Sequence, residues 1–358
     1  MKIRIVLKIY TLTHLVLGSS FDKNVDYLPK KLTHLTFGYN FFGNINCLPE
    51  SIIHLSLPIT HSPFFTKLPS KLRYLKFSNN FNSEVGHANC ANKKCPRNLP
   101  DTLTHLIFGS MFNQQVDNLP KNLIMLTFGR NFNENVDKLP NTITHLTFGE
   151  YFNKKIDKLP NSITHLTFGE SFDKNVEILP KSITHLTFGK KFNQKIIKLP
   201  DTIVDLEIYQ ICIGHSNCRD NSCPKNLPNS LINLKTNIKK LDNLSSSVKK
   251  LTITGTNTVC NLDLLPDTLT HLILDYHVSQ FGKLPSELTY LRFNDAYNGG
   301  FNSRVGHSGC NNKDCPKNLP QKLTHLFFGN CFNECVDYLS ETLTHLTFGN
   351  RFNRKVNP

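Results

Sequence analysis

Three stretches of the chain set one imidazole beside two thiols at a fixed interval. They read Gly86-His87-Ala-Asn-Cys90-Ala-Asn-Lys-Lys-Cys95-Pro96, Gly214-His215-Ser-Asn-Cys218-Arg-Asp-Asn-Ser-Cys223-Pro224 and Gly306-His307-Ser-Gly-Cys310-Asn-Asn-Lys-Asp-Cys315-Pro316. One imidazole and two thiolates in a short loop form a donor set suited to zinc. A closed structural site takes four ligands, and no fourth recurs: Glu84 and Arg304 stand where Cys212 stands. Zinc, a disulfide and a loop packed without metal are therefore three open readings, the disulfide disfavoured in a reducing cytosol. The other thiols, Cys47, Cys212, Cys260, Cys331 and Cys335, follow no motif. Beyond zinc, no cofactor is expected.

A second set of titratable groups shares one position of a recurring string. His14, His34, His54, His105, His145, His165, His185, His271, His325 and His345 all occupy it, ten of the 15 histidines in the chain. Tyr74, Met125, Asp205, Asn233, Lys250 and Tyr290 stand in the same place elsewhere. Rings stacked about 5 Å apart resist simultaneous protonation, because like charges disfavour the charged form. Three uses are open: a solvated position kept by duplication, a partner-binding strip tuned by its non-histidine members, or a metal or catalytic ladder.

Charge gives a broader bound. The chain of 358 residues has 41 Lys+Arg against 27 Asp+Glu, a formal +14, with 39% hydrophobic residues. That is enough apolar material for a core, so global disorder is not expected. Lysines such as Lys154, Lys155, Lys158, Lys190 and Lys191 cluster with interspersed acids at turns. They read as a solvated surface, with weak nucleic-acid binding the alternative. No apolar run approaches the roughly 18 residues of a membrane span, and no membrane partner is expected. G-x-x-x-x-G-K, G-x-S-x-G and H-E-x-x-H are all absent, and a site repeated along a chain is not the unique constellation that catalysis needs.

The element that must position these groups is a repeat. Leu-Pro pairs recur from Leu28-Pro29 to Leu319-Pro320, mostly 20 residues apart, with Leu339-Ser340 a degenerate last copy. Such a period marks a solenoid and overrides any domain count based on length. One copy cannot bury its own apolar face; about fourteen or fifteen stacked copies can. In Ile163-Thr-His-Leu-Thr-Phe168, two-residue alternation puts Leu166 and Phe168 on one face of a short strand and His165 and Thr167 on the other. Proline opens each copy, where it belongs in a turn. The expected fold is a β-rich solenoid, leucine-rich-repeat-like, with one short parallel strand per copy of about 20 residues. Its Leu and Phe columns form the core, and its histidine column lies on the concave, partner-facing side. A column of short polar residues from Asn82 to Asn353 is expected to hydrogen-bond the backbone of its own turn.

Residues 1–11 are expected to form a capping strand and residues 12–358 a single array, with inserts near 85–98, 213–226 and 305–318. Between about Tyr209 and Thr258 the pattern decays. Leu244-Ser-Ser-Ser-Val-Lys-Lys-Leu251 is a degenerate copy. An open solenoid end exposes a strand edge, so self-association through it is expected.

The string LPxxLTHLTFGxxFNxxV resembles the FNIP-repeat family, leucine-rich-repeat relatives of social amoebae and of large DNA viruses that infect amoebae. The resemblance runs from about Leu12 to Val356. It implies a non-enzymatic scaffold that binds another protein, virus-encoded and acting on host proteins in the cytoplasm. In viral relatives such repeats often follow an F-box. Only eleven residues precede the first copy, so the alternatives are a ubiquitin-ligase substrate receptor without its own F-box, or a basic scaffold for nucleic acid. The partner-binding residues on this reading are His34, His54, Tyr74, His105, Met125, His145, His165, His185, Asp205, His271, Tyr290, His325 and His345.

Overall fold

The structure, a computed structural model, describes residues 11–57, 67–85, 99–194, 196–209, 227–237, 244–255, 262–275, 282–293, 301–302, 305, 319–336 and 339–355. The expected capping strand at the N-terminus and all three H-x2-C-x4-C strings lie outside them.

The chain forms two compact units, residues 1–183 and 184–358. The first carries β1 (His14–Val16), β2 (His34–Thr36), β3 (His54–Leu57), β4 (Tyr74–Phe77), β5 (His105–Ile107), β6 (Met125–Thr127), β7 (His145–Thr147) and β8 (His165–Thr167). The second carries β9 (His185–Thr187), β10 (Asp205–Ile208), β11 (Asn233–Thr236), β12 (Lys250–Thr254), β13 (His271–Asp275), β14 (Tyr290–Phe293), β15 (His325–Phe327) and β16 (His345–Thr347). Within each unit, consecutive strands pair in parallel with equivalent residues side by side, as in His145↔His165 and Leu146↔Leu166. The fold is thus the expected parallel solenoid. The sixteen strands among the described residues exceed the count of Leu-Pro copies for two reasons. One strand precedes the first pair, and the degenerate copy at Leu244 yields a full strand, β12.

Local chemistry sets each turn. Proline, which has no N–H to donate, instead offers its carbonyl to the amide three residues on, as in Leu103 N to Pro100 O at 3.0 Å and Ile163 N to Pro160 O at 3.2 Å. After the strand, a second tight turn runs from glycine to phenylalanine, Phe152 N to Gly149 O at 3.4 Å. Glycine is required there: a Cβ on Gly149 would fall onto the carbonyl of Gly129 in the preceding turn.

The core is built of columns. Leu146, Phe148 and Phe152 are at most 2% exposed, and their equivalents repeat that burial from turn to turn. Each such side chain contributes roughly 1.5–3 kcal/mol by leaving water. The two phenylalanines of one turn lie face to face, Phe148 to Phe152 at 3.8 Å and 8°. Phe21 and Phe352, in the first and last described copies, are only half-buried.

Polar columns join the turns. The backbone N–H of Asn133 donates to Asn113 Oδ1 at 2.8 Å, that of Asn153 to Asn133 at 2.9 Å and that of Asp173 to Asn153 at 3.0 Å. The second unit repeats this with Asn302, Asn333 and Asn353. The expectation that these side chains bond their own turn is corrected: each carboxamide reaches one turn onward, because stacking sets the next amide directly over it. A second column had not been anticipated. Ser or Thr two places after proline donates to a carbonyl of the turn before, as in Ser162 Oγ to Ile143 O and Ser182 Oγ to Ile163 O, both 2.6 Å.

Candidate functional site

The face of the sheet opposite the Leu and Phe columns carries the first residue of every strand. There the backbone register sets His14, His34, His54, Tyr74, His105, Met125, His145 and His165 in one row of the first unit. In the second unit the row is His185, Asp205, Asn233, Lys250, His271, Tyr290, His325 and His345. Most of these side chains are half-buried; His14, His185, Lys250 and His345 are exposed. Every partner-binding residue expected from the sequence lies in this row. The metal candidates His87, Cys90, Cys95, His215, Cys218, Cys223, His307, Cys310 and Cys315 fall outside the described residues. Among the described residues no three metal-ligating side chains converge.

Neighbouring histidines stack. Ring centroids lie 4.0 Å apart for His14–His34, 4.3 Å for His34–His54, 4.1 Å for His145–His165 and 4.2 Å for His325–His345, with planes within 16°. Tyr74 continues one stack at 5.1 Å from His54 but lies 6.3 Å from His105 and tilted, across the long connection between β4 and β5. Threonine positions most rings: Oγ1 of Thr33 lies 2.9 Å from His34 Nδ1, and the same contact recurs at Thr104–His105, Thr144–His145 and Thr324–His325. The Thr33 hydroxyl also reaches the Thr13 carbonyl one turn back at 3.0 Å. The ring is thus held by its Nδ1 edge, leaving Nε2 as the distal nitrogen.

Spacing shows which way the first unit bends. Parallel strands lie about 4.7–4.9 Å apart. Its histidine rings are closer than that, at 4.0–4.3 Å, whereas phenylalanines of successive turns are 5.6–6.0 Å apart. The sheet of this unit therefore curves toward the histidines.

The electrostatics follow from packing. Burial holds the imidazoles of His34 and His54 below the ordinary histidine value, and the neighbouring rings add to it: His14 and His54 for the first, His105 and His14 for the second. His271 is lowered by burial, then by Lys250 and His325. Turn charges are separate from this face and engage one another between turns, as in Lys138 Nζ to Asp117 at 2.6 Å and Lys322 to Glu287 at 2.7 Å.

A parallel solenoid with one strand per turn, a leucine core and an exposed strand face defines a leucine-rich-repeat-like protein, a fold typical of protein-interaction scaffolds. The FNIP Repeat family model matches residues 11–40, 24–59, 92–129, 112–151, 135–171, 152–178 and 172–210, and over those residues the chain carries FNIP repeats. Among solved structures it is similar to CroV588 of the giant virus CroV, described as a novel circular leucine-rich-repeat protein, with 36% identity and a TM-score of 0.69. That match covers 97% of this chain and 54% of CroV588, so the chain spans about half the length of that relative. YopM from Yersinia enterocolitica WA-314 is 18% identical over 96% of this chain and 88% of its own, with a TM-score of 0.47. The leucine-rich effector YopM of Yersinia pestis is 15% identical over 94% of this chain and 89% of its own, with a TM-score of 0.42. No curated protein matches the sequence. No helix among the described residues is long and apolar enough to cross a membrane.

Proposed function

We propose that the chain is a non-enzymatic scaffold that binds a partner protein on the strand face bearing the histidine row. One observation carries this reading: within each unit a row of mostly ring-bearing and polar side chains stands half-exposed along the strand face. It lies opposite a core that consumes every Leu and Phe column. A row of repeated, near-equivalent positions suits an extended contact surface and offers no single reactive centre. On its likeness to a giant-virus protein we read the scaffold as virus-encoded, and we extend that reading to action on host proteins in the cytoplasm. The H-x2-C-x4-C strings stand as a separate zinc proposal, checked by metal analysis of the purified chain.

The face is tested by charge insertion. His34→Asp with His54→Asp, and separately His325→Asp with His345→Asp, are compared with the turn variant Lys154→Glu together with Lys174→Glu. Binding partners cross-linked to the wild-type chain in an amoebal lysate are expected to be lost from the face variants and kept by the turn variant. The opposite pattern would move the binding surface to the turns.

A further inference from the structure

The second unit departs from the histidine row at four of five consecutive strands. From β10 to β14 the row reads Asp205, Asn233, Lys250, His271 and Tyr290. These residues line a cavity of about 410 Å³ in the strand face, with Ile273 supplying an apolar wall. The space suits one side chain and the main chain on either side of it.

The charges around it are unequally engaged. Glu207 pairs with Lys235 Nζ at 2.9 Å and accepts the Tyr209 hydroxyl. Asp205 Oδ2 accepts from Asn233 Nδ2 at 3.0 Å. The ammonium of Lys250 is exposed at the start of β12, in register between Asn233 and His271. Among the described residues it meets no carboxylate. Its field is felt by His271, which it helps to keep neutral. Glu207 is therefore paired with a cation, Asp205 is held by a single amide hydrogen bond, and Lys250 has no carboxylate partner among the described residues.

We infer that this cavity receives an acidic side chain of the partner protein, with the partner's carboxylate on the Lys250 ammonium and its methylenes against Ile273 and the Tyr290 ring. The inference rests on the scaffold reading and narrows it to a partner class. A polyanion fits less well than a single carboxylate. The negative charges of Asp205 and Glu207 stand on the β10 side of the cavity, two strands from Lys250, and would repel a continuous run of phosphates.

The test is selection of a random dodecapeptide library, displayed on phage, against the immobilised full chain. The wild-type pool is expected to be enriched in Asp and Glu. Its synthesised members should lose roughly tenfold or more in affinity on Lys250→Glu, and less than about twofold on Lys76→Glu, the same reversal on β4 of the first unit. Unchanged unfolding midpoints for both variants show that neither has lost its fold. A pool without acidic enrichment, no pool at all, or equal losses on both variants would overturn the inference. So would displacement of the peptides by single-stranded DNA at matching concentration, which assigns the cavity to polyanions. If Lys250→Glu keeps the peptides while the histidine-to-aspartate face variants lose the cross-linked partner, the scaffold stands and the acidic pocket falls.

Discussion

The first unit is nearly periodic from β5 to β8, whereas the second, from β10 to β13, keeps its strands but changes almost everything around them. The leucines at mid-strand hold in both: Leu106, Leu126, Leu146 and Leu166 in one, Leu206, Leu234, Leu251 and Leu272 in the other, all at most 2% exposed. The next inward position does not. Phe108, Phe128, Phe148 and Phe168 give way to Ile208, Thr236, Ile253 and Leu274. The mid-strand leucine and the strand register therefore suffice to continue the sheet, while the aromatic columns are an added layer. On β10, β11 and β12, where that layer is missing, the outward row also departs from histidine, and Asp205, Asn233 and Lys250 of the proposed pocket stand on those strands.

If the stacked phenylalanines act alike wherever they are present, matched core truncations must cost the same in both units. Phe152→Ala in the first unit and Phe332→Ala in the second, each fully buried with rings stacked on both sides, should each cost about 3–5 kcal/mol in urea unfolding. A large inequality would break the comparison. Removing one inter-turn acceptor is a smaller perturbation. Asn133→Ala leaves the part-buried Asn153 N–H without its acceptor and should cost about 1 kcal/mol. Asn333→Ala strips the exposed Asn353 N–H, which water can satisfy, and should cost less.

The irregular strands also carry a correctable defect. Thr236 is 0% exposed, and its Oγ1 has no hydrogen-bond partner among the described residues. Thr236→Val should raise stability by about 1 kcal/mol, read as a higher urea midpoint, because the methyl that replaces the hydroxyl needs no partner.

The last contrast is in proton binding. His34 and His54 in the first unit and His271 in the second have folded pKa values below the ordinary one near 6.5. The unfolded chain therefore binds more protons as pH falls through that value, so their contribution is intact above it and declines below it. The thermal midpoint should drop between pH 7 and pH 5, and His34→Gln with His54→Gln should flatten the curve. In the second unit Lys250→Met should raise the His271 pKa in an NMR titration, whereas Lys76→Met should not move it.

The columns were legible because burial repeats with the sequence: Leu166, Phe168 and Phe172 each recur at a fixed interval, and alternation alone told the core face from the histidine face. What periodicity did not reveal was the direction in which polar atoms reach. Asn133 and Ser162 were visible as recurring types, yet their partners lie in adjoining turns about 20 residues away, and nothing local distinguishes a bond within a turn from one between turns. Lys250 looked like a mere irregularity of the row. Its importance depends on which carboxylates its neighbours have already taken, and that is decided by Glu207 and Lys235 on other strands.

The unequal ring spacings on the two sides of the first sheet make bending a property of residue volume. Phenylalanine rings hold the outer edge open at 5.6–6.0 Å while stacked imidazoles close the inner edge to 4.0–4.3 Å, like wedge-shaped stones in an arch. Wherever isoleucine, threonine or leucine replaces those rings, the wedge thins. A lineage could thus straighten or tighten its binding surface by exchanging hidden side chains, without altering one residue that a partner touches.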